Sequence, residues 1–337
     1  MSRMTRLATT LAAAAVVVTS GLSTARADQV EILNVSYDIA RELYAKINPA
    51  FIAQWKEQSG DDLSVNQSHA GSSKQARAIL QGLQADLVTF NQVTDVQVLA
   101  DKGFVAKDWK EHFANNASPY YSLPAFMVRG GNPKGIKDWD DLVRDDVKLV
   151  FPNPKTSGNG RYTYLAAYAY ALKKFDGDDA QARAFVDKLL ANVEVFDTGG
   201  RGATTTFVER GLGDVLITFE AEVENIRQAE EAGAYDRVVP SISLLAEFPV
   251  AVVDRVAEKR GTVEVANAYL SFLYTKEGQE ILASFNNRVH QPDVVAANAE
   301  KFPEVELVTV EDVFGGWDNA METHFASGGV LDELLAN

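Results

Sequence analysis

Apolar and polar residues follow two periods along the chain, one typical of strands and one typical of helices. Short apolar or alternating runs, bounded by polar and small residues, predict strands. These runs lie at residues 29–36, 63–67, 87–90, 121–129, 149–152, 193–196, 215–219 and 243–253. Apolar residues at helical spacing predict helices at 39–57, 73–83, 95–102, 159–174, 179–191 and 202–210, and a largely helical C-terminal part. This alternation favours an α/β fold with parallel sheets covered by helices on both faces.

The length of the chain predicts two lobes. About 310 residues follow the N-terminal segment described below, and single cores seldom grow that large. Two extended runs, near residues 121 and 245, would carry the chain from one lobe to the other and back. We therefore expect a discontinuous lobe 1, residues 28–120 and 245–337, around a continuous lobe 2, residues 121–244. The two crossovers would act as hinges and place a ligand in the cleft between the lobes.

Residues 1–27 have the three parts of a secretory signal peptide. Arg3 and Arg6 precede an apolar stretch at residues 7–18, and the small residues after it end in Ala-Arg-Ala at 25–27. The apolar stretch is shorter than a membrane-spanning helix requires. We expect cleavage before Asp28 and a periplasmic location for the mature protein.

Composition narrows the chemistry that a site could use. The chain has no cysteine, which excludes disulfides, thiolate metal sites and a cysteine nucleophile. Removal of residues 1–27 takes away three arginines and no acidic residue, so the formal charge of −15 becomes −18. This charge repels nucleic acid and anionic membrane surfaces. An anion site in this protein would therefore depend on local dipoles.

Four short segments place small or capping residues directly before predicted helices. They are Asp38-Ile39-Ala40, Gly71-Ser72-Ser73, Thr156-Ser157-Gly158-Asn159 and Gly199-Gly200-Arg201-Gly202. Backbone N–H groups at a helix start lack intrahelical partners, and the helix dipole places partial positive charge there. Ser, Thr and Asp are also ordinary N-caps, so one such segment is compatible with capping alone. Several starts that meet in one cleft would bind an anion without a lysine or arginine.

The remaining patterns do not predict a catalytic or metal site. The four histidines are scattered without ligand spacing. Residues 154–161 lack the G-K-[ST] ending of a phosphate loop, and no G-x-S-x-G elbow occurs. We expect no enzymatic activity, no cofactor and no bound metal. An enzyme with this architecture would need a reactive acid in the cleft, such as Asp38 or Glu220 with a shifted pKa. A purely structural or protein-binding role would leave the four helix-start segments unexplained.

At these four segments the chain resembles the periplasmic sulfate-binding proteins of bacterial ABC transporters. The similarity covers nearly the whole mature chain. The matching segments are residues 34–38, 41–44, 67–69, 71–72, 152–155, 201–204, 207–211, 314–317 and 324–326. The resemblance implies a two-lobed, type II-like periplasmic binding protein fold that closes around sulfate. It also implies an ABC membrane permease as partner and a diffusing receptor, which we expect to be a monomer.

The resemblance also implies a set of ligand contacts. Backbone N–H groups at five positions would donate to sulfate, with the Ser157 hydroxyl beside them. The five positions are Asp38, Ser72, Gly158, Asn159 and Gly200. Asn159 stands where the family often has glycine, and Gly200 where it often has alanine. Backbone donors are retained in both cases.

Phe219 departs from the family pattern. Relatives often carry tryptophan there, whose indole N–H donates to the anion, whereas phenylalanine has no donor. A hydrogen bond to a charged group contributes about 1.5–3 kcal/mol, so sulfate would bind about tenfold or more weakly unless a neighbour compensates. Two readings stay open, a ligand-facing Phe219 and one that only packs beside the site. Thiosulfate, molybdate and tungstate are alternative ligands.

Protonation would separate sulfate from phosphate in a cleft that contains only donors. Sulfate is fully ionised near neutral pH, whereas phosphate keeps a proton that needs an acceptor. This expectation requires the Asp38 carboxylate to point away from the anion.

Overall fold

The structure is a computed structural model and describes residues 29–336; the predicted signal peptide lies outside this range. The strands are β1 (Gln29–Ser36), β2 (Asp62–His69), β3 (Leu87–Thr89), β4 (Tyr120–Ser122), β5 (Pro124–Arg129), β6 (Leu149–Pro152), β7 (Val193–Asp197), β8 (Val215–Phe219), β9 (Tyr235–Val238), β10 (Ile242–Leu244), β11 (Ala246–Glu247), β12 (Val250–Val252), β13 (Arg288–Val289) and β14 (Glu306–Val308). No helix within the described range is long and apolar enough to cross a membrane.

Helices connect and cover these strands. They are α1 (Arg41–Ser59), α2 (Ser72–Leu80), α3 (Val93–Asp101), α4 (Gly158–Lys174), α5 (Asp179–Ala191), α6 (Gly200–Val208), α7 (Glu220–Ala229), α8 (Asp254–Arg260), α9 (Val263–Phe272), α10 (Lys276–Ser284), α11 (Pro292–Ala297), α12 (Val310–Phe314), α13 (Trp317–Ala320) and α14 (Val330–Leu335). Shorter 3-10 turns lie at Asp38–Ala40, Trp109–Glu111, Trp139–Val143 and Ala299–Lys301, a π-helical turn at Met321–Phe325, and a left-handed turn at Ala114–Ala117.

Two larger sheets confirm the predicted α/β fold class. One has the strand order β12-β3-β1-β2, in which β1 pairs in parallel with β2 and β3. The other has the order β7-β6-β8-β5-β9, in which β6 pairs in parallel with β7 and β8. Each sheet also contains antiparallel pairs: β12 with β3 in the first, and β5 with both β8 and β9 in the second.

The two predicted crossovers lie side by side in a small antiparallel sheet. In its order β11-β4-β13, Ser122 of β4 lies opposite Ala246 of β11, and Tyr120 lies opposite Val289 of β13. The chain passes through β4 into β5 of the second sheet and returns through β11 to β12 of the first. We propose that these short neighbouring strands are the hinges. The lobe boundaries at residues 121 and 244 stay a prediction.

The C-terminal segment contacts the second lobe, although residues 245–337 were assigned to lobe 1 from the sequence. Arg183 of α5 pairs with Glu333 of α14 at 2.9 Å, and Lys155 pairs with Asp332 at 2.6 Å. Strand β14 pairs in parallel with β10, which precedes the return crossover. We therefore propose that the chain from about residue 306 onward belongs with lobe 2.

Candidate anion-binding site

Each of the four segments identified in the sequence begins a helix or helical turn. Helix α2 begins at Ser72, α4 at Gly158 and α6 at Gly200. The segment Asp38–Ala40 forms a 3-10 turn that leads directly into α1. The first backbone N–H groups of each helix have no intrahelical acceptor and are available to another partner.

The four segments meet where the two lobes touch. Gly200 is close to both Ile39 and Asn159. A methyl group added at its Cα would lie 3.2 Å from Ile39 Cγ2 and 3.5 Å from Asn159 Nδ2. A methyl group added to Gly71 would lie 3.7 Å from the Thr156 carbonyl oxygen, so the starts of α2 and α4 also face each other. The fold therefore brings together residues separated by more than 100 positions in the chain. Helix starts that converge in this way can hold an anion.

The start of α4 is packed against the loop before α3. A methyl group on Gly158 would lie 2.9 Å from Gln92 Cβ and 3.0 Å from Asn91 Oδ1. The Ser72 hydroxyl lies 2.8 Å from the same Asn91 oxygen and shares its single proton between this oxygen and the carboxylate of Asp95. The Ser157 hydroxyl caps α4 by accepting from a backbone N–H at 3.4 Å, which leaves its own proton free to donate to a ligand.

A buried charged pair lies behind the starts of α2 and α4, and the sequence analysis missed it. The Ser72 and Ser73 hydroxyls donate to Asp95 at 2.6 and 2.8 Å. Arg161 donates to Ser73 Oγ at 3.3 Å and lies 3.9 Å from the Asp95 carboxylate. Burial raises the pKa of Asp95 and lowers the pKa of Arg161. The serine side chains are therefore held at the contact between the lobes by Asp95 of lobe 1 and Arg161 of lobe 2, and the backbone N–H of Ser72 is the group that can face a ligand.

The Asp38 carboxylate, whose direction bears on the expected rejection of phosphate, accepts hydrogen bonds from two backbone N–H groups. Its Oδ2 accepts from the Arg201 N–H at 3.4 Å, and its Oδ1 accepts from the Ile39 N–H at 3.1 Å. A methyl group on Gly199 would lie 2.7 Å from the same Oδ2. The carboxylate thus lies against the start of α6, where the helix dipole attracts negative charge, although burial raises its pKa. The site therefore includes an acceptor, and the expected rejection of phosphate depends on how these hydrogen bonds hold the carboxylate.

Phe219 is buried beside the converging helix starts. Its side chain is 0% exposed, and its ring centroid lies 5.1 Å from that of Phe248 and 6.0 Å from that of Tyr162. The hydroxyl of the preceding Thr218 accepts from Asn159 Nδ2 at 2.8 Å. Phe219 therefore combines a packing role with a place next to a predicted ligand contact.

An ion pair joins the two lobes outside the cleft. Arg201 Nη2 lies 3.0 and 2.9 Å from the two carboxylate oxygens of Glu42. Both residues line a groove of about 520 Å³ that also includes Glu222. The Glu222 carboxylate accepts from the Thr204 hydroxyl at 3.1 Å, and burial raises its pKa to about 7.

Glu220 is held in ion pairs. It is one of the two acids, with Asp38, that the alternative function as an enzyme would require. Arg288 donates to its carboxylate at 2.7 and 3.1 Å, and Arg237 donates at 3.4 Å. The side chain is fully buried. Two guanidinium groups therefore hold this carboxylate in place, which gives it a structural role. Within residues 29–336, no group of three or more histidine and acidic side chains is arranged to hold a metal ion.

Two lobes around hinge strands, with helix starts converging at their contact, define the class of solute-binding proteins. The chain belongs to the family of bacterial extracellular solute-binding proteins, whose sequence model matches residues 37–285. It is 58% identical over 308 residues to the thiosulfate-binding protein of Escherichia coli (strain K12), with 91% of each chain covered. It is 48% identical over 310 residues to the sulfate-binding protein of the same organism, covering 91% of this chain and 94% of that one.

A solved structure supports the same relationship. The sulfate-binding protein SubI from Mycobacterium tuberculosis H37Rv is similar with a TM-score of 0.80 and 32% identity, covering 88% of this chain and 99% of that chain. These relatives confirm the resemblance identified in the sequence, and the structural similarity confirms the two-lobed fold.

Proposed function

We propose that this protein is a receptor that captures sulfate in the cleft between its lobes. The observation that carries this proposal is the meeting of four helix starts at one place. The proposed ligand-binding residues are Asp38, Ser72, Ser157, Gly158, Asn159, Gly200 and Phe219. Neutral N–H and hydroxyl donors, aided by helix dipoles, allow a strongly acidic protein to hold an anion.

Export and delivery complete the proposed role. The signal peptide would direct the protein to the periplasm, where it diffuses as a monomer without a cofactor. Binding would shift an open cleft toward a closed state, and a membrane permease of the ABC class would recognise the two closed lobes together. The similarity to a thiosulfate-binding and a sulfate-binding protein supports this role.

We propose no catalytic step. Glu220 is neutralised by two arginines, and the Asp38 carboxylate is bound by backbone N–H groups. Both carboxylates are thus held by partners within the protein. The chain is thereby suited to binding and release of an unchanged solute.

Thiosulfate is the second candidate ligand, and Phe219 is the observation that favours it. A fully buried phenyl ring offers no hydrogen bond to a sulfate oxygen, whereas sulfur is a weak acceptor that loses less beside an apolar ring. The thiosulfate-binding relative is also more similar to this chain than the sulfate-binding relative is, at 58% against 48% identity.

Selectivity against phosphate depends on the Asp38 carboxylate. The N–H groups of Ile39 and Arg201 hold this carboxylate against the start of α6, so it would take the phosphate proton only if its remaining lone pairs faced the ligand. With those lone pairs directed away from the ligand, a protonated phosphate would place its O–H against donors, and the unpaired contact costs about 1–3 kcal/mol. We therefore expect phosphate to bind at least about tenfold more weakly than sulfate.

The proposal is tested by calorimetric titration of refolded, anion-free mature protein with sulfate, thiosulfate, molybdate and phosphate at neutral pH. Tight binding of sulfate, with phosphate rejected, is the expected result. A preference for thiosulfate would select the second candidate. Absence of heat with all four anions, from protein shown to be folded by circular dichroism, would exclude the receptor function.

A further inference from the structure

Gln92 is a buried polar residue at the cleft that the proposed ligand set does not include. It immediately precedes α3 in an extended conformation, and its side chain does not cap that helix. The side chain is 0% exposed, and neither its Nε2 nor its Oε1 has a hydrogen-bond partner within residues 29–336. Buried side-chain amides are almost always hydrogen-bonded, so an amide with two unpaired atoms indicates a group that serves a further partner.

The surroundings of Gln92 are those of the proposed anion site. Its Cβ and Oε1 lie 2.9 and 3.0 Å from the place of a methyl group on Gly158, the first residue of α4. The adjacent Asn91 accepts from Ser72, the first residue of α2. Gln92 therefore lies between two helix starts on opposite sides of the cleft, and at the start of a third, the nine-residue helix α3.

We propose that the side-chain amide of Gln92 donates from Nε2 to the bound oxyanion and replaces the side-chain donor that Phe219 lacks. The inference rests on the proposed function and adds a specificity-determining residue to it. A neutral amide suits this task because it adds a donor without a charge. Rotation about the last side-chain bond exchanges Nε2 and Oε1, so a bound anion can select the donor.

Thr94 provides a matched control on the same helix. Its hydroxyl is also buried and without a hydrogen-bond partner in the described part of the chain. It lines a different groove, together with Val98 and Trp317, away from the start of α4. A substitution at either position removes an unpaired buried polar group at the start of α3, but of the two only Gln92 faces the cleft.

The test compares the mature wild type with Gln92→Met, which keeps the length of the side chain and removes the amide, and with Thr94→Val. Sulfate and thiosulfate are titrated calorimetrically, and thermal unfolding is recorded without anion. We expect Gln92→Met to bind sulfate about tenfold or more weakly, with an unchanged or higher melting temperature. Thr94→Val should stay within about twofold of the wild type, as expected for a site outside the cleft.

Wild-type affinity in folded Gln92→Met would overturn the inference and leave the proposed function intact. A folded wild type that binds neither anion would overturn both. A crystal structure of the wild type with sulfate decides the point independently, including the case in which Gln92→Met does not fold. Gln92 Nε2 farther than about 3.5 Å from every anion oxygen, or bridged to the protein by water alone, would refute the direct contact.

Discussion

Phe219 has the side chain with the largest expected effect on the choice of anion. Phe219→Trp supplies an indole N–H, so the affinity for sulfate relative to thiosulfate should rise about tenfold. Because the ring is fully buried against Phe248 and Tyr162, the added volume should cost about 1–3 kcal/mol of stability. Titration of both anions and thermal unfolding measure the two effects.

Phe219→Leu is the control, since it adds no donor. An unchanged ratio in folded Phe219→Trp would mean that position 219 does not face the anion.

Glu222 makes a second prediction, on the pH dependence of stability. Burial raises the pKa of Glu222 to about 7 from an ordinary value of 4.5, although the positive charge of Arg201 lowers this pKa. Between these pH values the folded protein binds more protons than the unfolded chain. The free energy of unfolding should therefore fall as pH rises through this window, by on the order of 3 kcal/mol.

The variant Glu222→Gln lacks this titration. The melting temperature of this variant should be higher than that of the wild type, and the difference should grow as the pH rises from 4.5 to 7. Thermal unfolding at a series of pH values measures the difference. Glu230→Gln, an exposed residue at the end of α7, is the control and should run parallel to the wild type. If the melting temperature of Glu222→Gln changes with pH in the same way as that of the wild type, Glu222 is not the group whose raised pKa causes the pH dependence.

At the scale of elements, the contact between the start of α4 and the loop before α3 limits how closely the lobes approach. Gly158→Ala would place a methyl group 2.9 Å from Gln92 Cβ, closer than real Cβ contacts allow. Relief of this overlap costs about 1–3 kcal/mol, or about a fivefold to hundredfold loss of sulfate affinity. The same change at Gly71 meets only a carbonyl oxygen at 3.7 Å, so its effect should be much smaller. Equal losses of affinity for the two variants would refute this explanation.

The pattern of apolar residues predicted some elements closely and others poorly. The strands expected at 29–36, 149–152 and 215–219 are observed with the same bounds as β1, β6 and β8, and the latter two are buried along their whole length. The extended run at 121–129 is instead divided between β4 and β5, because its first part pairs in the small sheet β11-β4-β13. Strand β9, with the sequence Tyr-Asp-Arg-Val, was missed because a half-buried edge strand carries polar residues.

At the scale of the whole molecule, ligand binding and lobe closure should be linked. An anion at 100 times its dissociation constant should raise the free energy of unfolding by about 2.7 kcal/mol, because it binds the folded protein alone. Small-angle scattering should show a smaller radius of gyration with sulfate than without it, as the lobes close. Phosphate at the same concentration is the control and should produce neither change. Stabilisation by sulfate at constant radius would contradict the hinge motion.

The sequence by itself determined the class of fold and the helix starts of the site. Periodicity depends on neighbouring residues, and capping residues mark a helix start locally, so Ser72, Ser157, Gly158 and Gly200 were identified without coordinates. The resemblance to sulfate-binding proteins then indicated which helix starts belong together.

Only the tertiary structure decided what surrounds those helix starts. The pair of Asp95 and Arg161, the carboxylate of Asp38 against α6 and the unpaired amide of Gln92 each depend on contacts between distant segments. A local pattern cannot show where a side chain of one lobe points relative to the other lobe. For the same reason the sequence did not indicate the ion pairs of the C-terminal helix with Lys155 and Arg183, which join residues about 150 or more positions apart and on which the proposed assignment of that helix to lobe 2 depends.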